Sequence, residues 1–327
     1  MKKILFLIIS ITLMFSCVNV YAQGMTRYGY PSRNESKSSI FKLTNSFNIT
    51  IDKDYMHYAE HDSNGSTLDN EDADIPGVNL SLEGIPNSKI PVWYELNYSD
   101  YYGNSTYTGA TNITDIPIED TDHIGYINYG FRAGYAFIVD YNKLAIIPNA
   151  GFEWMNWNRN ILDNSGNTEY IEHYHFNRYL VGIKAYYLIT NRLWLEGEGY
   201  YTHGTDNSMD TNALVPTALV YNNSGNYIGE LGNYENQNFE LGNRSGFLFG
   251  FKVGYQVYKS KTINIGPFIS LNYSQLKVNK SNTITYYNIP QYTYPPATLV
   301  GYTNYQVLEP QSQTNQFFIG FGIKLGF

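Results

Sequence analysis

The chain has 327 residues, a formal net charge of -8 and a mean hydropathy of -0.35. This acidic balance argues against nucleic acid as a partner, because phosphate binding needs basic patches. The 33 Tyr, 17 Phe and 28 Gly stand beside only 15% charged residues. Such a composition is typical of membrane-crossing strands whose aromatic rings lie at the two interfaces.

The N-terminus has the three parts of a secretory signal peptide. Lys2 and Lys3 form the positive region, Ile4 to Phe15 form a short apolar stretch, and Val20-Tyr21-Ala22 is a small-residue cleavage site. Beyond Ala22 no stretch is long and apolar enough for a membrane helix. We therefore predict three regions: a cleaved signal peptide over 1–22, a flexible periplasmic tail over 23–39 and a barrel over 40–327.

Cys17 is the only cysteine, and it would leave with the signal peptide. The mature chain would then contain no disulfide bond. Met14-Phe15-Ser16-Cys17 can also be interpreted as a lipoprotein signal, although Phe15 fits that pattern poorly.

From Phe41 onward, stretches with a period of two residues follow one another along the chain. No stretch shows a convincing helical period, so we expect no helix and ten strands. The first five lie at about 42–57, 75–85, 90–99, 123–139 and 143–156. The other five are marked by Tyr179 to Ile189, Leu193 to Tyr201, Phe247 to Val257, Ile263 to Tyr273 and Phe317 to Phe327.

Short and long connections alternate between these strands. The short ones are tight turns at Pro86-Asn87-Ser88, Asp140-Tyr141-Asn142, Thr190-Asn191 and Lys259-Ser260. The long ones are polar and centred near Ser63, Ser105, Asn164, Val220 and Tyr294. This alternation favours an all-β, transmembrane, antiparallel up-and-down barrel in a Gram-negative outer membrane, with long extracellular loops and short periplasmic turns.

Charges separate between the two faces of the strands. The predicted outward face is apolar, as at Leu43 and Ile51 of strand one. Its one charged residue is Lys53, near a loop end. A charge facing lipid costs a few kcal/mol, so this separation is expected of a barrel, whereas a soluble β-sandwich would not need the alternating loops. The predicted lumen-facing charges are Glu83, Glu95, Arg132, Glu153, Arg178, Lys184, Glu196, Glu198, Lys252 and Lys324.

A ten-stranded barrel is narrow, so these ten charges are expected to pair across a lumen filled by side chains. Trp93, Phe268 and Phe318 are also predicted to face inward. We interpret the charges mainly as a structural network. A small polar or ion pathway, as in a narrow porin, is the alternative.

Two segments carry a resemblance to known barrels. Ile319 to Phe327 is similar to the C-terminal strand of outer-membrane proteins, whose final Phe is read by the barrel-assembly machinery. Asp74-Ile75-Pro76-Gly77, Tyr107-x-Gly109 and Ile147 to Arg159 resemble a family of uncharacterised opacity-type outer-membrane β-barrel proteins. The resemblance implies a barrel over most of the mature chain and no assigned reaction.

Six histidines fall at the predicted loop ends of the strands, which makes a metal-binding or pH-sensing rim conceivable. The simpler interpretation is that polar aromatic residues suit the extracellular rim, and we predict neither a metal nor a cofactor. The six are His57, His61, His123, His173, His175 and His203.

The omptin proteases are another ten-stranded family, with an Asp pair and a His-Asp pair at the extracellular mouth. Asp120-Thr121-Asp122 and the pair His203 and Asp206 lie in the corresponding predicted loops. The family spaces its His and Asp two residues apart, whereas here the spacing is three, and the flanking residues do not match. We therefore predict no protease activity, and an omptin-like aspartyl-type protease is the third alternative, after the narrow porin.

The fourth and fifth long loops, about 205–243 and 279–314, are rich in Tyr and Asn. These residue types are adaptable contacts on binding surfaces. The function predicted from the sequence is surface binding, adhesion or envelope structure through these loops. The expected partners are outer-membrane lipid and lipopolysaccharide, the barrel-assembly machinery through Phe327, and an extracellular ligand.

Overall fold

A computed structural model describes residues 38–86, 91–110, 117–139, 143–162, 168–260 and 262–327. The predicted signal peptide, most of the predicted tail and the turn at Asp140-Tyr141-Asn142 lie outside these ranges. So do Asn87-Ser88 of the first turn and the loop centre at Asn164.

Within this part of the chain, one short helix precedes sixteen strands. The helix α1 spans Ser38–Thr44. The strands are β1 Ser46–His61, β2 Thr67–Gly84, β3 Val92–Ala110, β4 Pro117–Tyr135, β5 Phe137–Val139, β6 Leu144–Leu162, β7 Thr168–Leu188, β8 Leu193–Gly204, β9 Asn207–Asn222, β10 Tyr227–Leu241, β11 Arg244–Tyr255, β12 Tyr258–Lys259, β13 Asn264–Val278, β14 Ile284–Tyr294, β15 Thr298–Val307 and β16 Gln311–Gly326.

The described strands close into an antiparallel barrel with ten wall positions, which confirms the predicted fold class. Strands β4 and β5 share one position because both pair with β6. Strands β11 and β12 share another because both pair with β13. The first and last strands pair over their full length, from Ser46 with Gly326 to His61 with Gln311. Strand β6 pairs with β7 and completes the ring.

A belt of exposed apolar side chains surrounds the outside of the barrel. Its side chains point away from the wall, and the exposed fractions of Ile51, Val181 and Phe321 are 70%, 58% and 61%. A continuous apolar surface of this extent is expected where a barrel contacts lipid. Aromatic residues border the belt at the end away from α1: Tyr55, Tyr129, Trp154, Tyr179 and Tyr201.

Several strands continue well past this belt. Strands β6 and β7 have 19 and 21 residues, whereas about 9–11 residues cross a bilayer. Beyond Trp154 and Tyr179 the outward side chains become polar, beginning with Asn156 and Asn177. The barrel wall therefore projects beyond the lipid as an extension made of paired strands.

The expectation of no helix was wrong. Helix α1 lies at the base of the barrel, where Leu43 is buried instead of facing lipid. Lys42 Nζ fixes the helix by donating to the Ser260 carbonyl at 2.6 Å. Seven residues give too little periodicity to distinguish a helix turn from the start of a strand. No helix in the described ranges is long and apolar enough to cross a membrane.

The predicted long loops are also largely regular structure. Ser105, expected at a loop centre, is a buried residue of β3 whose hydroxyl donates to Glu71. The fourth and fifth connections form the hairpins β9–β10 and β14–β15. Strand β9 pairs with β7, and β14 runs parallel to β9. Above the lipid belt the outward residues become polar, as at Asn156 and Asn158, so the apolar outward pattern ends while backbone pairing continues, and this explains the difference.

Two apolar clusters fill the interior at different heights. The lower cluster, next to α1, comprises Ile40, Leu43, Ile85, Trp93, Ala136, Ala145, Ile147, Tyr186, Leu188, Trp194 and Phe268. The upper cluster, in the extension, comprises Met56, Tyr58, Ile75, Tyr101, Ile124, Tyr126, Met155, Trp157, Tyr174, Phe176, Met209, Phe239, Leu241, Leu276 and Val278. Polar and charged groups lie between them.

Candidate functional site

All ten sequence-predicted lumen charges point into the barrel, and ion pairs connect them in a single network. Lys184 lies at its centre, because its Nζ is 3.1 Å from Glu95 Oε2 and 3.2 Å from Glu196 Oε1. The same Nζ is 3.3 Å from Glu83 Oε2 and 3.6 Å from Glu198 Oε2. One ammonium group therefore holds four carboxylates contributed by β2, β3 and β8.

The remaining five charges attach to this centre. Arg132 Nη2 lies 2.9 Å from Glu153 Oε1, and Arg178 Nε donates to Glu153 Oε2 at 2.6 Å. Lys252 Nζ donates to Glu196 at 2.8 Å, and Lys324 Nζ lies 2.8 Å from Glu83 and 3.1 Å from Glu196. Desolvation offsets much of the attraction in such a network, but removing one partner leaves a buried charge without compensation.

A polar cavity of about 110 Å³ lies inside the barrel beside this network. It is lined on one side by Arg132, Glu153 and Lys252, and elsewhere by hydroxyl and amide side chains such as Ser274 and Asn128. At about 30 Å³ for each water, it has room for a few waters or one small solute.

A second charged cluster lies in the extension, outside the lipid belt, and was missed at the sequence level. Arg159 is its centre: Nη1 lies 2.7 Å from Glu172 Oε2, Nε lies 2.9 Å from Glu71 Oε2, and Nη2 lies 4.0 Å from Asp122 Oδ2. Its guanidinium also stacks over the Tyr58 ring at 5.1 Å. We call Arg159 with Glu60, Asp69, Glu71, Asp122, Glu172 and Glu309 the acidic cluster.

One arginine cannot neutralise six carboxyl groups, and burial acts on several of them. Burial raises the pKa of Asp122 to about 7, with a further increase from Glu71. Burial and the nearby Glu172 raise the pKa of Glu309 to about 8. The pKa of Glu60 is raised well above its usual value, again chiefly by burial. The cluster therefore retains protons near neutral pH.

Tyrosine hydroxyls from the upper cluster form hydrogen bonds with three of these acids. Tyr58 donates to Glu60 at 2.6 Å, and Tyr174 lies 2.7 Å from Glu309 Oε1 and 3.1 Å from Glu172 Oε2. Arg159 and Glu172 occupy inward positions of β6 and β7. Extending these two strands past Trp154 and Tyr179 in the sequence would have predicted both residues to face the interior.

The histidines do not form a shared site in the described part of the chain. His57 Nδ1 lies 2.8 Å from Asp72 Oδ1, and His173 Nδ1 lies 2.6 Å from Asn158 Oδ1, both on the outer surface of the extension. His175 pairs similarly with Asn156 at 2.9 Å. No group of three or more potential metal ligands occurs among the described residues. These contacts join adjacent strands above the lipid belt.

His203 and Asp122, two of the residues compared with omptins, do not come together. His203 is exposed on the outer face of β8, whereas the Asp122 side chain is fully buried inside the barrel. The barrel wall therefore separates the imidazole from the carboxylate, and the two cannot activate one water molecule between them.

The outermost part of the chain is a layer formed by the hairpins β9–β10 and β14–β15, which we call the hairpin layer. Residues 284–307 contain six Tyr and no Asp, Glu, Lys, Arg or His. Tyr287 and Tyr302 have exposed fractions of 69% and 63%. Leu231 and Tyr234 of β10 are exposed as well.

Comparisons with known proteins give structural likenesses alone. No protein-family model and no curated protein matches the sequence. Among solved structures, the outer membrane protease OmpT from Escherichia coli has a TM-score of 0.48 and 10% identity, over 87% of this chain and 97% of that chain. A TodX monoaromatic hydrocarbon channel mutant has a TM-score of 0.35 and 10% identity, over 91% and 95%. The translocator domain of the autotransporter NalP from Neisseria meningitidis has a TM-score of 0.32 and 8% identity, over 95% and 98%.

At these identities the likeness concerns the fold of the chain and not its activity. The resemblance to opacity-type barrels stays a prediction.

Proposed function

We propose that this protein is an outer-membrane barrel that binds an extracellular ligand through the hairpin layer, with a lumen closed by side chains. The observation that carries the proposal is the uncharged, Tyr-rich hairpin β14–β15, exposed at the end of the barrel farthest from α1. Its role is surface binding, adhesion or envelope organisation.

The lipid belt supports insertion in the outer membrane, and the two ends of the barrel support its orientation. The end at α1 has the tight turn between Leu188 and Leu193, while the opposite end has the extension and the hairpin layer. Short periplasmic turns and larger extracellular segments are usual for such barrels. In this proposal the signal peptide at 1–22 directs export, and Phe327 directs assembly.

The filled interior supports a binding role over solute passage. Trp93 and Phe268 are fully buried in the lower cluster, and Phe318 packs against the upper cluster. Between them, Lys184 and its partners occupy the lumen with mutually paired charges. Passage of a solute would require both apolar clusters and several buried ion pairs to move.

The chemistry of hairpin β14–β15 favours an uncharged ligand with many hydrogen-bonding groups, and the acids of the neighbouring β10, such as Glu235 and Glu240, disfavour an acidic one. Tyr rings offer flat apolar contact with one polar end, and Asn and Thr add donors and acceptors. Because residues 284–307 carry no charge, a charged surface would find no ionic complement there. We therefore propose a neutral glycan surface as the ligand class.

Binding of the refolded barrel to immobilised neutral and acidic glycans tests the proposal. Wild type should bind neutral glycans, and Tyr287→Ser with Tyr302→Ser should reduce that binding roughly tenfold or more, because aromatic contacts dominate such sites. Tyr102→Ser is the matched control, since Tyr102 is 65% exposed on β3, away from the hairpin layer. Equal losses in both variants, or preference for acidic glycans, would contradict the proposal.

A narrow porin is the second candidate, and the polar cavity of about 110 Å³ favours it. In this alternative the cavity is a binding site midway along the pore, and the lower cluster and the upper cluster are the two constrictions that open. Single-channel recording separates the two candidates, because only the porin predicts a stable open state.

A further inference from the structure

Arg244, at the start of β11, is a buried cation that no carboxylate neutralises. Its exposed fraction is 2%, and no Asp or Glu oxygen lies within 4.0 Å of its guanidinium in the described part of the chain. Nη2 contacts Met155 Sδ at 3.5 Å, and the Phe176 ring lies under the guanidinium at 4.3 Å. The Nε and Nη1 donors have no hydrogen-bond partner.

This guanidinium lines the polar cavity of about 110 Å³. Arg132, Arg178 and Lys252 also line the cavity, but each of them is paired with a carboxylate: Arg132 and Arg178 with Glu153, and Lys252 with Glu196. Arg244 is therefore the one lining cation, among the described residues, that lacks an acidic partner.

The three glutamates that line the same cavity are already paired with other cations. Glu153 uses one oxygen for Arg132 and the other for Arg178. Glu95 and Glu198 lie within 4.0 Å of both Arg132 and Lys184. Asp52, the fourth lining acid, accepts a hydrogen bond from Tyr101 through Oδ2 at 3.1 Å; its Oδ1 has no hydrogen-bond partner, and among the described residues it forms no ion pair with Arg244.

We propose that the cavity is a binding site for one small oxyanion, either an inorganic anion such as sulfate or a short carboxylate, held by Arg244. A guanidinium with free donors is the preferred protein group for such anions. An unpaired buried charge is strongly unfavourable, and an anion in the cavity would compensate it. Ser274 and Asn272, which also line the cavity, add neutral hydrogen-bonding groups.

The proposed site differs from the glycan-binding hairpin layer in position and in ligand chemistry. The cavity lies inside the barrel between the lower cluster and the upper cluster, and refolding in the presence of the anion gives the anion access to the site before the barrel closes. The site is therefore tested by refolding in the presence of the anion. A negative result in this refolding test would leave the proposed surface function unaffected.

The experiment compares wild type with Arg244→Met and Lys277→Met, each refolded in detergent with labelled sulfate or labelled acetate. Ionic strength is balanced with gluconate, which is too large for the cavity. Lys277 lies on the outer face of β13 and is exposed, so it controls for the loss of a positive charge. After gel filtration, retained label per barrel is counted, and the thermal unfolding midpoint is measured as a function of sulfate.

Wild type and Lys277→Met should retain about one anion per barrel, and their unfolding midpoints should rise with sulfate and then saturate. Arg244→Met should retain about tenfold less, because charge-assisted hydrogen bonds are lost. It should also unfold at a higher temperature than wild type in gluconate alone. Wild type that retains neither anion, or no more of it than Arg244→Met, would overturn the proposal. If Arg244→Met fails to fold, the count of retained anion in wild type decides alone.

Discussion

Replacing Arg159 with methionine removes the only cation at the centre of the acidic cluster. The change breaks the contacts of 2.7 Å to Glu172 and 2.9 Å to Glu71, both inside the extension where the arginine is 3% exposed. Methionine keeps much of the packing volume against Tyr58. Removing one partner of a buried ion pair costs about 3–5 kcal/mol, so we expect a loss in unfolding free energy of that size at pH 8.

The loss should shrink as the pH falls. Arg159 lowers the pKa of Asp122, Glu172 and Glu309 against the stronger upward effect of burial. Without it, the folded state would bind still more protons than the unfolded state near neutral pH. Stability then falls as pH rises, over a window from about 4, the usual carboxyl value, through the folded pKa of Glu309 at about 8. The unfolding free energy of Arg159→Met should fall more steeply with rising pH than that of wild type.

Urea unfolding of the refolded barrel at pH 5 and pH 8 measures both effects. Tryptophan fluorescence is a suitable probe, because Trp157 stacks with Tyr174 at 5.1 Å in the same region. Arg192→Met, at an exposed turn beside α1, is the matched control and should change stability little. A loss below about 1 kcal/mol, which is the scale of an exposed pair, or an equal loss at both pH values, would refute the reasoning.

Three further predictions concern topology, register and activity. Proteinase K on intact cells should cut at the hairpin tips 223–226 or 295–297 and spare the turn at 190–192; cutting at that turn in sealed cells would reverse the orientation. Phe249→Arg should cost about 2–4 kcal/mol of folding into lipid, because the side chain faces the bilayer, while Phe249→Leu should cost far less; similar effects would show that the register is wrong. Refolded protein with lipopolysaccharide should leave basic peptides intact, and cleavage lost in both His203→Ala and Asp122→Ala would contradict the separation of these residues.

The lipid-facing part of the fold could be predicted from the sequence because lipid imposes a strict rule on alternate residues. Ile183 and Phe249 lie on the outer surface, with exposed fractions of 53% and 52%, as their parity required. The inward position of Glu196 and Lys252 followed from the same rule. Their pairing partners did not follow, because contacts across the lumen depend on the stagger of strands distant in sequence.

The extension could not be predicted in the same way. Above the lipid the alternation inverts, with polar side chains such as Asn156 and Asn158 outside and apolar ones such as Trp157 inside. A search for apolar outward faces therefore ended at the lipid, and Arg159 and Asp122 were assigned to loops or their margins. Hairpin β14–β15 has Pro290 and Pro295 within a Tyr-rich stretch, which sequence rules assign to a loop. Pairing of β14 with β9 brings together residues about seventy positions apart, such as Gln291 and Leu219, and only the three-dimensional structure reveals it.

Single-channel recording of the refolded wild-type protein in a planar bilayer tests the central claim, that the lumen is closed and function lies in the hairpin layer. Lys184, the lower cluster and the upper cluster together fill the lumen. We therefore predict no stable open level in wild type, and the same result after residues 284–307 are replaced by a short turn. A large, stable conductance in the wild-type protein would contradict this account and identify a porin.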